Sequence, residues 1–329
     1  MALHPHATGL LRAIARKSPL LNALAFKLRG VRGLEDINEL DACFLAALGG
    51  EREVNPEIMA KLLRIYLKPP ADADFSLDPF SAGYTAAQKR LYSRIAKKSY
   101  HTDNESTPFD FESMKDDFFP YSTKSGVYVG DQLLSHGFLI RNMVLPPGAK
   151  VVEFGPGWGN TLMHLAMMGF ETTAVEVNKP SIDLIRYRAK LHGRSVRIVE
   201  SDMVEFAQAS GERFDAAVFV GCFHHCHNPV AMIGYLDRII ADHGKVYFAD
   251  EPIFPSRSPV MPYPWGMRLD GNSLYYTRVW GWLEMGYQEG FFREAFRRAG
   301  WTVDAVRSTI RGVEDLYIAR KTRARRTPR

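Results

Sequence analysis

The stretch VVEFGPGWGN at residues 151–160 decides how the rest of the chain is read. Lys150 to Phe154 make a short apolar strand, and Gly155, Gly157 and Gly159 follow at alternate positions. Glycines there allow a tight turn and bring bare backbone N–H groups up to a ligand at the start of a helix. Glu153, two residues before Gly155, sets a carboxylate near the strand end. A dinucleotide fingerprint needs a further glycine at the sixth position of the motif, where this chain has Asn160. Nicotinamide-dependent oxidoreduction therefore keeps only an analogy of fold.

Working outward, a helix is predicted at 160–168, closed by Gly169, then a strand at 171–177 and a helix at 180–192, closed by Gly193. Asn178 suits a helix cap, and Arg186, Arg188 and Lys190 lie toward that helix's end, where the dipole favours cations. Strands follow at 196–200, 216–220 and 245–249, a helix at 291–299, and strands at 302–306 and 316–319. Such alternation means a parallel sheet covered on both faces. Too few residues join the last two strands for a helical crossover, so they are expected to close the sheet as an antiparallel hairpin. The predicted fold class is α/β: a doubly wound, Rossmann-like seven-stranded sheet with its last strand antiparallel, preceded by a helical N-terminal region. That region, with its linker, takes residues 1–120, including helices at 34–48, 56–67 and 85–100. The sheet domain takes 121–319, with an insertion at 251–286 toward the substrate, and 320–329 form a basic tail.

Glu153 followed by Gly-x-Gly-x-Gly resembles motif I of the class I S-adenosylmethionine-dependent methyltransferases, and later positions agree. TTAVEV ends in Glu176-Val177, VRIVESDM in Asp202-Met203, and FDAAVFVG in Gly221, just before Cys222-Phe223-His224-His225. The resemblance covers residues from about 145 to 319 and implies S-adenosyl-L-methionine as cofactor. By that resemblance the glycine turn takes the amino acid part of the cofactor, Glu176 the ribose hydroxyls and Asp202-Met203 the adenine. Glu153, Val177 and Gly221 complete the expected cofactor-binding set.

Methyl transfer to a hydroxyl also needs a base, a role that suits histidine with its ordinary pKa of ~6.5. FHHCHNP at 223–229 is similar to the loop of methyltransferases that modify sugars on small molecules, in which a His-His pair works with an acid after strand five. The resemblance implies His224 as base, His225 as its neighbour in the pocket, and Asp250 as the carboxylate that orients and charges it. Glu251, Trp265, Arg268, Asp270 and Tyr128 are the expected substrate contacts, with Tyr121 and Asp131 as further candidates near the cofactor. His136 reads as structural, falling within a helical apolar pattern.

Cys222, His224, His225, Cys226, His227, Asp250 and Glu251 all have metal-ligand chemistry. The cysteines and histidines are crowded together, without the separated pairs of a structural zinc site, so no metal ligand is expected; magnesium on carboxylates is the alternative. In the insertion, PYPWGMRLDG at 262–271 is followed by Tyr275, Tyr276, Trp280, Trp282 and Tyr287. These aromatics suit either a sugar-stacking surface or a lid packed on the sheet.

Of 329 residues, 42 are basic and 37 acidic, but residues 1–33 carry six basic and no acidic side chains, and 320–329 carry six more. Between these ends 30 basic face 37 acidic residues, a net of −7, which disfavours a phosphate backbone as partner. The strand-four loop also lacks the Asp/Asn-Pro-Pro-aromatic signature of enzymes that methylate bases. Leu10, Leu11 and Ile14, then Leu20, Leu21, Leu24 and Leu28 behind Ser18-Pro19, form apolar stripes. They suit packing on the same chain, on a sister subunit in a homo-oligomer, or on an anionic membrane surface. Three cysteines make no disulfide framework and fit the cytoplasm, with a membrane-peripheral position as a variant of that expectation. The expected function is O-methylation of a sugar or other hydroxylated small molecule, including a surface-glycan precursor. The alternatives are a non-catalytic cofactor-binding subunit and methylation of nitrogen or carbon.

Overall fold

Alternating short strands and amphipathic helices assemble here into two compact units, Met1–Asn104 with Pro252–Phe292, and Glu105–Glu251 with Arg293–Arg329. The computed structural model describes residues 30–51, 54–70, 76–310 and 312–322, so the apolar stripes of residues 10–28 and the tail beyond 322 lie outside the described residues.

The first unit begins with β1 (Arg32–Leu34), α1 (Glu39–Leu48), α2 (Pro56–Leu62), β2 (Ile65–Leu67) and α3 (Ala82–Ala96). The second contains α4 (Phe111–Met114), α5 (Gly126–Asn142), β3 (Lys150–Phe154), α6 (Asn160–Met167), β4 (Glu171–Glu176) and α7 (Lys179–Leu191). It continues with β5 (Val196–Glu200), α8 (Met203–Ala209), β6 (Phe214–Val220), α9 (Pro229–Ile239) and β7 (Ile240–Ala249). The chain then returns to the first unit for β8 (Ile253–Phe254), β9 (Trp265–Met267), α10 (Gly271–Val279) and β10 (Met285–Gln288). After α11 (Glu289–Arg298), the strands β11 (Trp301–Val306) and β12 (Leu316–Lys321) complete the second.

The second unit is built on a seven-stranded sheet of order β11-β12-β7-β6-β3-β4-β5. β3 runs parallel to β4 and β6, and β4 and β6 run parallel to β5 and β7. β12 is antiparallel to both β7 and β11, the expected closing hairpin. The order reverses at β3, so the carboxyl ends of β3 and β6 flank the crevice where doubly wound sheets bind ligands. Both faces of the central strands are covered, which is why they read as unbroken apolar runs. Val151, Val218, Tyr247 and Leu316 from four strands share one core with Leu139 of α5 and Leu165 of α6. Phe154, Phe219 and Phe248 stack across three neighbouring strands, with ring centroids 4.8 and 4.9 Å apart.

Two expectations need correction. The helix expected over 56–67 stops at Leu62, because residues 65–67 pair in parallel with Arg32–Leu34, a partner distant in sequence. β7 starts at Ile240, five residues early, continuing straight from α9 through a polar stretch. The segment expected as an insertion holds α10 and, with β10 running to Gln288, a sheet ordered β8-β10-β9. This insertion forms one body with the N-terminal helices. Tyr84 and Tyr92 hydroxyls donate to the carbonyls of Trp265 and Gly281, each at 2.6 Å, and the Trp265 indole donates to the Pro79 carbonyl at 2.8 Å. Residues 101–120 read as a linker or an ordered crossover, and of these 105–120 belong to the sheet unit. Among the described residues no helix is long and apolar enough to cross a membrane.

Candidate functional site

The turn after β3 has three glycines at positive φ: 54° at Gly155, 53° at Gly157 and 73° at Gly159. A Cβ on Gly155 would stand 2.9 Å from Cβ of Cys222, and one on Gly159 2.7 Å from Cγ1 of Ile185, so these two serve close packing. Gly157 faces open space, and it is there that a ligand can meet the backbone. The turn is anchored by Arg188, a fully buried side chain of α7. Its guanidinium donates to the Trp158 carbonyl, to Oδ1 of Asn160 at 3.0 Å and to the Asp117 carbonyl at 2.7 Å. Burial pulls its pKa down to about 10. Arg188 was legible only as a dipole-friendly cation near a helix end; its partners 28 to 71 residues away are not visible locally.

Three carboxyl groups stand at or just beyond the ends of neighbouring strands. Glu153 is buried with no hydrogen-bond partner on Oε2, and burial, then the nearby Glu176 charge, pushes its pKa up to about 8. Glu176 accepts from the backbone N–H groups of Gly157 at 2.9 Å, Val177 at 2.8 Å and Asn178 at 2.9 Å. Burial raises this carboxyl above the usual range, against the pull of those amides and of His225. Asp202 caps α8, accepting from Val204 and Glu205, and its Oδ2 lies 3.6 Å from Nδ1 of His227. Burial raises its pKa, but the imidazole and the two amides outweigh burial and hold it low. Met203 is the first residue of α8. The polar set fits a nucleoside with a charged amino acid arm: open space beside the side-chain-free Gly157, whose own N–H is engaged by Glu176, a buried orphan oxygen on Glu153, and a fixed carboxylate on Glu176.

β6 ends at Val220, and Gly221 after it lies in the left-handed region at φ 57°, its N–H held by the Ala249 carbonyl at 2.9 Å. The single turn Phe223–His225 that follows is organised by one carboxylate. Glu251 Oε1 accepts from the N–H groups of Cys222 at 2.8 Å and Phe223 at 2.7 Å. Its Oε2 accepts the His224 N–H at 3.1 Å and meets the ring Nδ1 at 2.9 Å. The expectation for the two acids is thereby corrected. Glu251, expected on the substrate, has a fully buried side chain and orients His224 instead. Asp250, expected on His224, accepts from Ser135 of α5 at 2.5 Å and lies at φ 54°. That left-handed residue breaks the alternation of the strand, which turns the next side chain inward. Burial pushes Glu251 up to about 7, against the pull of the Phe223 and Cys222 amides and the His225 charge. The His224 and His225 rings lie 4.2 Å apart, and His225 pairs with Glu105 at 3.0 Å. Cys222 donates to the Phe154 carbonyl at 2.8 Å, and burial pushes its thiol pKa far up, which keeps it a packed, protonated side chain.

Residues 105–119 run as a strap over these turns. Besides Glu105 on His225, Ser106 Oγ and the Thr107 carbonyl bond the Asn178 side chain at 3.1 and 3.0 Å. Phe109 and Phe119 stack on Trp158 at 4.8 and 5.0 Å. Asn178, expected to cap α7, spends its side chain on this strap and on Ser181. Nothing periodic marks the strap, so sequence alone reads it as a linker or an ordered crossover.

Tyr128 of α5 meets Phe119 edge-on at 5.8 Å, and burial, then the Asp250 charge, raises its phenol. Asp131 lies against Gly312, whose Cβ would fall 2.7 Å from its carboxyl. In the other unit, Trp265 is 1% exposed and packs between Tyr84 and Phe291 as core. Arg268 pairs with Glu284, and Asp270 caps α10 through Ser273 N–H at 3.0 Å. Trp265 and Asp270 thus have structural duties within their own unit, where a substrate contact had been expected. Tyr263, Tyr275 and Tyr287 are buried there too.

A family model described as "Methyltransferase domain" matches residues 134–306. An uncharacterized methyltransferase of Bacillus licheniformis is 31% identical over 121 residues, 36% of this chain and 54% of that protein. A ubiquinone biosynthesis O-methyltransferase of Nitrosococcus oceani is 21% identical over 110 residues, 33% of this chain and 47% of that one. The chain thus spans about half the length of the curated relatives it matches. Among solved structures, the Burkholderia thailandensis 1,6-didemethyltoxoflavin N1-methyltransferase, with bound 1,6-didemethyltoxoflavin and S-adenosylhomocysteine, aligns with a TM-score of 0.45 at 21% identity. The alignment covers 66% of this chain and 93% of that one.

Proposed function

Because the chain belongs to the methyltransferase-domain family, whose class I members use S-adenosylmethionine as methyl donor, we propose that it methylates an oxygen of a hydroxylated small molecule, with His224 as general base. The observation that carries this reading is the buried Glu251 carboxylate on Nδ1 of His224, at the open end of β6. Oxygen as the acceptor atom is supported by the ubiquinone biosynthesis O-methyltransferases among its relatives.

The residues that would hold the cofactor are the turn Gly155, Gly157 and Gly159, with Glu153, Glu176, Val177, Asp202, Met203 and Gly221. When bound, it supplies a methyl group on a cationic sulfur, whose transfer needs in-line positioning more than acid–base assistance. The protein's own part is the acceptor's proton. With Glu251 accepting Nδ1–H, the lone pair of His224 is at Nε2, which takes the proton from the acceptor hydroxyl as its oxygen gains the methyl group. The imidazolium so formed rests against the Glu251 carboxylate until the proton passes to water.

The acceptor class is a polyol, phenol or catechol. Its sugar component, including a glycan precursor, rests on the His-His resemblance alone, since Trp265, Tyr263, Tyr275 and Tyr287 are core residues of their own unit. Cytoplasmic action, with residues 1–33 on a membrane surface or a sister subunit, belongs to the same proposal. The test is His224→Ala assayed with tritiated S-adenosylmethionine against catechols, phenols and sugars. Affinity for S-adenosylhomocysteine should stay within threefold while turnover falls about a hundredfold or more. Undiminished turnover would place the base elsewhere.

A further inference from the structure

Helices α5 and α6 leave a cavity of about 480 Å³ between them, closed on its third side by residues 116–121. Its size falls in the range of small-molecule sites, roughly 300–1,000 Å³. Asn160, the first residue of α6, is its one lining residue beside the turn after β3, and none comes from the turns after β4, β5, β6 or β7, where His224 and Glu251 stand.

Two of its lining side chains are histidines. His136 of α5 and His164 of α6 meet edge to face with centroids 5.7 Å apart, and His136 is only 6% exposed. Both Nδ1 atoms are buried without a hydrogen-bond partner. Buried polar atoms are nearly always paired, and an orphaned one is costly, so two on adjoining rings in one cavity call for an explanation. Burial, then repulsion from His164, holds the pKa of His136 down at about 4, and burial lowers that of His164. Both rings are therefore neutral near pH 7, each with one donor and one acceptor nitrogen. Leu133, Met163 and Met167 supply apolar walls, the methionines being side chains that adapt to a flat ligand. Asp116 and Asp117 on the third side disfavour an anion.

We propose that this cavity is a second small-molecule site, for an uncharged, flat, largely apolar ligand whose hydroxyl or carbonyl edge pairs with His136 and His164. It does not depend on the methyl-transfer reading, and its test needs no turnover.

The probe is 1-naphthol, titrated into the full chain labelled with nitrogen-15 at histidine. Binding should move the Nδ1 resonances of His136 and His164, and naphthalene-1-sulfonate should bind at least tenfold more weakly. His136→Phe should weaken 1-naphthol at least tenfold, the scale of one lost buried hydrogen bond, with affinity for S-adenosylhomocysteine within twofold. Should that variant fail to fold, Met167→Trp fills the cavity from its half-exposed rim and should abolish naphthol binding. Unmoved histidine resonances at millimolar 1-naphthol, equal affinity for His136→Phe, or uptake of zinc ion by the pair in place of naphthol would each overturn the proposal.

Discussion

Replacing Glu251 by glutamine changes one atom and should break the site in a specific way. In the wild type Oε1 serves the Cys222 and Phe223 N–H groups, and Oε2 serves both the His224 N–H and Nδ1. A glutamine that keeps its oxygen on Cys222 and Phe223 turns an NH₂ group toward His224. The His224 N–H then loses its acceptor, at a cost of about 1–3 kcal/mol for a buried donor. Removing a carboxyl whose burial pushes it up to about 7 returns part of that near neutral pH, leaving a net loss of about 1–2 kcal/mol. The opposite rotamer orphans two amides and is worse. The catalytic effect is larger. The NH₂ group forces Nδ1 to accept, so the proton moves to Nε2, the atom that must receive one. A base locked in the wrong tautomer loses on the order of 10²- to 10⁴-fold in turnover. Nitrogen-15 spectra of the His224 ring report the tautomer, and tritium transfer reports turnover. Turnover within threefold of wild type while the ring carries its proton on Nε2 would refute the reasoning.

Glu153→Gln should stabilise the protein in alkali and not in acid. Folding raises Glu153 from 4.5 to about 8, so its contribution is full below pH 4.5 and is lost as pH climbs to about 8. The gain at pH 8.5 should be about 2–4 kcal/mol by thermal unfolding; equal shifts at pH 5 and 8.5 would contradict it. Arg188→Met removes the hydrogen bonds that tie α7 to Trp158, Asn160 and Asp117, a loss of about 3–5 kcal/mol and roughly 10 °C in the unfolding midpoint. It should also weaken S-adenosylhomocysteine at least tenfold, and a stable variant with unchanged affinity would show that the anchor is dispensable.

Where a feature depends on local chemistry it was legible beforehand. β3 and β5 fall at 150–154 and 196–200 as read, because each is a β-rich run with turn residues close by. The glycine turn and the His-His step are equally local. What escaped depends on distant partners. Which of two adjacent acids would reach His224 was decided by the left-handed backbone at Asp250, held by Ser135 from 115 residues away. Ile65–Leu67 became a strand through pairing with residues 32–34, against a helical pattern. The aromatics of the insertion have the same composition whether they stack on a sugar or fill a core, and only the N-terminal helices packed on Trp265 settle their burial.

The central claim is that the turn after β3 admits the cofactor at the space left open by the side-chain-free Gly157. Calorimetric titration of S-adenosylhomocysteine into the wild type and Gly157→Val tests it most directly. Valine at φ 53° strains the turn and fills the space left open there, so one site per wild-type chain and at least a hundredfold weaker binding in the variant are expected. Equal affinity in a folded Gly157→Val protein would contradict it.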